Sequence, residues 1–206
     1  MKIFTDEISE RYRKYIIQLK LPAKRSMYLL WGTDTGNEDS DYLMLDPANR
    51  LLGFSTIKAL LHYVKTTKHA LTDEPATKEW VSAYKANRAY VSYDIELLIG
   101  LMEVSDKRPE NYTKAAAVEL TDFCHLFSDY AYQLNQQEWV RLYQDKDLHV
   151  FIDWVHARYL WKPDAAYLAA LTDQLKHIDF EKIKTKVRKM YHYLMQNLVV
   201  ISNTDC

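Results

Sequence analysis

Ser26-Met27-Tyr28-Leu29-Leu30-Trp31, Asp41-Tyr42-Leu43-Met44-Leu45 and Leu51-Leu52-Gly53-Phe54 are three short apolar runs, and what lies between them decides how they are read. Gly32-Thr33-Asp34-Thr35-Gly36-Asn37 follows the first and Asp46-Pro47-Ala48-Asn49 the second. Clusters of Gly, Asn, Asp and Pro separate runs too short to be helices, so the stretch predicts a three-stranded antiparallel meander. Upstream, Ile8, Tyr12, Tyr15, Ile16 and Leu19 share one side of a helical projection, with Arg11, Arg13, Lys14 and Gln18 opposite. That period predicts a helix over 9–19, ended by Pro22. Downstream, Ser55 stands where an N-cap belongs, before the helical face of Ile57, Leu60, Leu61 and Val64. Residues 1–68 therefore read as a small α+β module.

Beyond residue 68 the texture is helical. Pro75 opens a segment carrying Trp80, Val81 and Tyr84, and Ser92 or Asp94 caps the apolar run 95–102. Long amphipathic stretches follow over 113–136, 148–160, 164–177 and 180–200. The expected fold class is α+β, mainly α. A small N-terminal meander with flanking helices (1–68) is followed by a helical bundle (69–206), packed together as one unit.

The 206 residues hold 27 Lys+Arg against 28 Asp+Glu, and that balance argues against nucleic-acid binding driven by bulk charge. The balance hides an uneven distribution. Residues 1–90 carry a net +3, 91–147 a net −6 and 148–206 a net +2. The opening residues become charged before a signal-peptide core can build, and no uncharged window has the length of a membrane span. Two cysteines, Cys124 and Cys206, are no disulfide framework. The expectation is a cytoplasmic chain with no membrane partner.

Motifs for catalysis are sparse. With four glycines there is no P-loop, no dinucleotide-binding fingerprint and no nucleophile elbow. The loop from Asp34 to Asp41 resembles a calcium loop only until it is counted. Asp39 stands at the position that needs Gly, and Leu45 at the position that needs Glu. Cys124-His125 are consecutive, which on a helix points them about 100° apart and makes them poor bonding partners. His149, Asp153 and His156 share a helical face, so a metal-dependent hydrolase is the alternative reading. Their neighbours Phe151, Trp154 and Tyr159 favour packing instead, and no cofactor or metal is expected. The basic run Lys182, Lys184, Lys186, Arg188, Lys189 reads as the solvated face of an amphipathic helix.

Sixteen tyrosines and five tryptophans remain. Several tyrosines lie in or beside the acidic middle section, and aromatic rings mixed with carboxylates suit a binder of a basic protein. The candidate partner-binding residues are Asp94, Glu96, Asp129, Asp145, Asp147, Tyr93, Tyr132 and Tyr143.

Tyr28-Leu29-Leu30-Trp31-Gly32, Tyr42-Leu43-Met44-Leu45-Asp46 and the step Gly53-Phe54-Ser55-Thr56-Ile57 into a helix resemble the opening module of bacterial immunity proteins. These act against polymorphic and contact-dependent growth-inhibition toxins. Leu120-Thr121-Asp122-Phe123-Cys124-His125-Leu126-Phe127-Ser128-Asp129-Tyr130 is similar to a later segment of that group. The resemblance is one of pattern and carries no site residue across. It implies a binder that blocks a toxin's active site by surface complementarity, with no chemistry of its own. A nuclease-type toxin with a basic cleft is the partner that the acidic section suits.

Overall fold

The computed structural model describes residues 7–36, 39–67, 73–85, 87–103 and 109–201. The chain is α+β and mainly helical, and it divides into two compact units, 1–95 with 196–206, and 96–195. The division therefore lies near residue 95, later than the expected boundary after 68, and the last residues rejoin the first unit.

The first unit is built on a mixed sheet of six strands rather than on a free-standing meander. Its elements are α1 (Glu7–Tyr12), β1 (Lys14–Leu21), β2 (Arg25–Asp34), β3 (Ser40–Leu43), β4 (Leu51–Phe54), α2 (Ile57–Thr66), α3 (Glu74–Ala83), β5 (Val91–Asp94) and β6 (Leu198–Ile201). The order across the sheet is β5-β1-β2-β4-β6, with β3 also paired to β2. The three predicted runs are β2, β3 and β4. Trp31 faces Leu43 and Tyr28 faces Phe54, both in antiparallel register. The N-cap of α2 is Thr56, one residue after the expected Ser55, and its side chain accepts the Ala59 N–H at 3.1 Å.

Three strands occupy sequence that reads as helix or as a helix cap. The predicted helix over 9–19 stops at Tyr12, Arg13 takes a positive φ of 53°, and Lys14 starts β1. β1 is an inner strand, antiparallel to β2 on one side and parallel to β5 on the other. Buried side chains lie on both its faces, so apolar residues at consecutive positions imitate the helical rhythm. Ser92 and Asp94 lie in β5, where the Ser92 hydroxyl donates to Gln18 Oε1 at 2.7 Å. Leu198-Val199-Val200-Ile201, read as the end of the last helix, pairs in parallel with β4 from Leu51↔Leu198 to Phe54↔Ile201. β-Branched side chains suit that extended backbone.

Ile16, Leu30, Met44, Leu52 and Phe54 line one face of the sheet under Ile57, Leu60 and Val64 of α2, Trp80 and Val81 of α3, and Tyr84 at its C-cap. Gly32 is needed on that face: a Cβ there would lie 2.6 Å from Lys14 Cδ and 2.8 Å from the Arg13 carbonyl oxygen.

The second unit is helical. α4 (Ile95–Glu103) leads through a 3₁₀ turn (Pro109–Asn111) to α5 (Lys114–Gln133), α6 (Gln137–Tyr143) and α7 (Lys146–Val155). A π-helical turn (His156–Leu160), α8 (Ala165–Leu175) and α9 (Phe180–Gln196) complete it. Several of its helices begin where short polar side chains cap free N–H groups. Thr113 accepts from Ala116, Asp145 from Leu148 and Asp164 from Tyr167. α5 is the central helix, with Leu120, Phe123, Cys124 and Phe127 fully buried.

Candidate functional site

α5 has one open stripe. From Ala116 to Ala131 every residue is buried except Glu119, Asp122, His125 and Asp129. Their spacing of three, three and four places them along one side of the helix, and Tyr132, 50% exposed, continues the line. A helix that buries nearly everything keeps three carboxylates and an imidazole at its only open edge.

Rings from α6, α7 and the π-helical turn meet that edge. Tyr143 lies 6.5 Å from Tyr132 and 6.4 Å from His125 between ring centroids, in edge-to-face arrangements, and 5.1 Å from His149. Tyr132 is held in turn by Gln144, whose Nε2 donates to its hydroxyl at 2.9 Å. His125 lies 5.3 Å from His156, and His156 lies 4.8 Å from Trp161. Burial, with His156 and His149 adding like charge, pushes the His125 pKa down to about 4, so the imidazole is neutral at pH 7. Burial also lowers that of His156, against the pull of Asp153. Burial raises the Asp122 carboxyl to about 6.

The residues expected from sequence fall in both units. Tyr93 and Asp94 lie in β5 of the first unit, where Asp94 stands in register with Lys20. Glu96, Asp129, Asp145, Asp147, Tyr132 and Tyr143 belong to the second. Glu96 is exposed in the first turn of α4. Asp145 is already committed: it caps α7 and is ion-paired with Lys186. Burial opposes its ionisation, but the ammonium and the Leu148 N–H outweigh that and hold its pKa below the usual carboxylate range. Asp147 sits in the first turn of α7, where a carboxylate complements the helix dipole. Asp129, Tyr132 and Tyr143 are the ones brought together. Asp122, His125, His156 and Trp161 join them. The signal that marks the α5 residues is their spacing within an otherwise apolar helix.

His149 meets the Tyr143 ring, and His156 meets His125 and Trp161. Among the described residues, however, no three His, Cys, Asp or Glu side chains are grouped closely enough to hold a metal ion. Cys124 is fully buried and its thiol is pushed up to about 12, as for a small core side chain; Cys206 lies outside the described residues. The basic run is not a uniform solvated face. Lys184 is 1% exposed and pairs with Glu181, Lys186 pairs with Asp145, and Arg188 donates to the Met102 carbonyl at 2.5 Å.

Sequence reasoning missed a second polar cluster, in the first unit. Lys14 is completely buried, and its Nζ donates to Asp73 Oδ2 at 2.5 Å, Thr33 O at 2.5 Å and Tyr12 O at 3.2 Å. Thr77 Oγ1 donates to the other Asp73 oxygen at 3.1 Å. The Tyr42 ring lies 5.6 Å from the ammonium, and burial pushes the ionisation of its hydroxyl far up. All three ammonium protons are used, so this cluster holds the start of β1 against the start of α3.

No family model matches the chain, and no curated protein matches it. A solved structure, the C-terminal domain of SatS in complex with bromine, is similar in fold. It has a TM-score of 0.59 and 14% identity, over 96% of this chain and 98% of that one. At that identity the likeness concerns the fold alone. No helix among the described residues is long and apolar enough to cross a membrane.

Proposed function

We propose that the chain is an immunity protein, a cytoplasmic stoichiometric inhibitor that neutralises a cognate bacterial toxin domain by covering its active site. The observation that carries this reading is the open stripe of α5, acidic along its length and flanked by rings from α6 and α7. Carboxylates on a largely rigid helix give a field that steers a basic partner, and aromatic rings give contact area at low entropic cost. A nuclease-type domain, whose cleft must attract phosphates, is the partner of matching charge. No reacting group of the inhibitor is needed. The resemblance of the strand region to immunity proteins supports the same reading.

Co-expression with the C-terminal domain of whatever protein is encoded immediately upstream tests it. Restored growth and an equimolar complex are expected. Replacing Asp122 and Asp129 by lysine should weaken the complex at least tenfold, chiefly through slower association, and flatten its salt dependence. No rescue and no complex with that domain would overturn the proposal.

A further inference from the structure

Resting on that reading, we propose that Trp161 anchors the basic partner, at the end of a strip of rings crossing the acidic surface of the second unit. The π-helical turn is what places it. Its last bond runs from the Trp161 N–H to the His156 carbonyl at 2.7 Å, five residues back. Such turns are rare and are frequently found at functional sites. Here the turn leaves Leu160 and Trp161 consecutive in water, 47% and 55% exposed.

Trp161 is nonetheless held. Its ring rests on His156, His156 on His125, His125 on Tyr143 and Tyr143 on Tyr132. The two ends of the strip, Trp161 and Tyr132, are its most exposed members. Carboxylates accompany it: Asp153 acts on His156, and Asp129 acts on Tyr143. Residues 119–161 hold seven acidic and three basic side chains, and one of those bases, Arg158, is turned onto the rings of Trp154 and Tyr159.

Ring faces beside carboxylates recognise guanidinium and ammonium groups, by cation–π attraction and by ion pairing together. An anionic partner would meet Asp129 and Asp153. A wholly apolar one would have to strip water from them without return. The occupant that fits is therefore a protein surface presenting arginine and lysine side chains, with Trp161 as its anchoring contact.

Fluorescence anisotropy with labelled nona-arginine and nona-glutamate peptides on the full chain tests this. The arginine peptide should bind and the glutamate peptide should not. Trp161→Ala should weaken binding about tenfold, Trp161→Phe should keep most of it, and Asp129→Asn with Asp153→Asn should weaken it and lower the salt slope. Thermal melting of each variant controls for folding. No binding of the arginine peptide, equal binding of both peptides, or wild-type affinity in Trp161→Ala would overturn the proposal. So would a self-association of the wild type that Trp161→Ala abolishes, because the occupant would then be a second copy. A toxin neutralised equally by wild type and Trp161→Ala removes the anchor and leaves the immunity reading standing. Trp161-dependent capture of the arginine peptide with no toxin neutralised does the reverse.

Discussion

The Lys14 cluster of the first unit and the ring strip of the second are both gatherings of polar and aromatic side chains, and they differ in closure. Lys14 and Asp73 are 0% and 4% exposed, and every ammonium proton and both carboxylate oxygens find partners inside the fold. The strip ends in water at Trp161 and Tyr132. A buried charge whose bonds are all satisfied holds elements together and has nothing left to offer a partner. Half-exposed rings and carboxylates add little to stability and keep their capacity for recognition. Burial therefore separates the two roles, where residue type does not.

Six substitutions break or sharpen this contrast. The largest effect is expected from Lys14→Met, which leaves Asp73 buried without its cation and should cost about 3–5 kcal/mol in urea unfolding. Adding Asp73→Asn should recover a large part of the loss. A cost under about 1 kcal/mol for the single variant would show that the cluster is open to water. Next is Gly32→Ala, whose methyl would press on Lys14 Cδ and the Arg13 carbonyl. About 1–3 kcal/mol is expected, with loss of the same ion pair.

The strip should show itself through pH rather than through large stability changes. His125 titrates lower in the folded chain, at about 4, than unfolded, so its contribution is complete above about 6.5 and is lost as pH falls toward 4. Asp122 runs the other way. Its carboxyl is raised to about 6, so the fold gains stability as pH falls through 6. The two partly cancel in the wild type. Asp122→Asn should stabilise the chain at pH 7 by about 1–2 kcal/mol, after allowance for its partial exposure, and leave the acid loss from His125 uncompensated. His125→Gln should remove that loss. Unfolding curves at pH 4.5 and 7 check both, and unchanged pH dependence in both variants would mean that the stripe is fully hydrated. The smallest effect belongs to Trp161→Ala, expected within about 0.5 kcal/mol in stability, because the side chain is more than half exposed. A larger loss would make Trp161 a core residue and close the strip.

Much of the second unit was legible. The apolar rhythm of 113–136 and the polar caps Thr113 and Asp164 mark helices whose order depends on local sequence. The first unit was legible only where turn residues punctuate it, from β2 to β4. β1, β5 and β6 escaped because each is defined by a partner far away in sequence: Ile17 by Val91, Leu51 by Leu198. Lys14 is the sharpest case. In a helix it belongs to the solvated side, whereas the strand turns it inward beneath Asp73, and residue type alone does not choose between these.

By itself the sequence determined the α+β class, the mainly helical character, the positions of the long helices and the acidic surplus of the middle section. Each of these follows from local period, capping or composition. Only the tertiary structure decided which carboxylates remain at a surface. It took Asp145 into a cap and an ion pair, sent Asp94 to another unit, and left Asp122, His125 and Asp129 as the open edge of α5 beside Trp161. The physical reason is that exposure depends on which elements pack against a residue, and packing joins residues that no local pattern links.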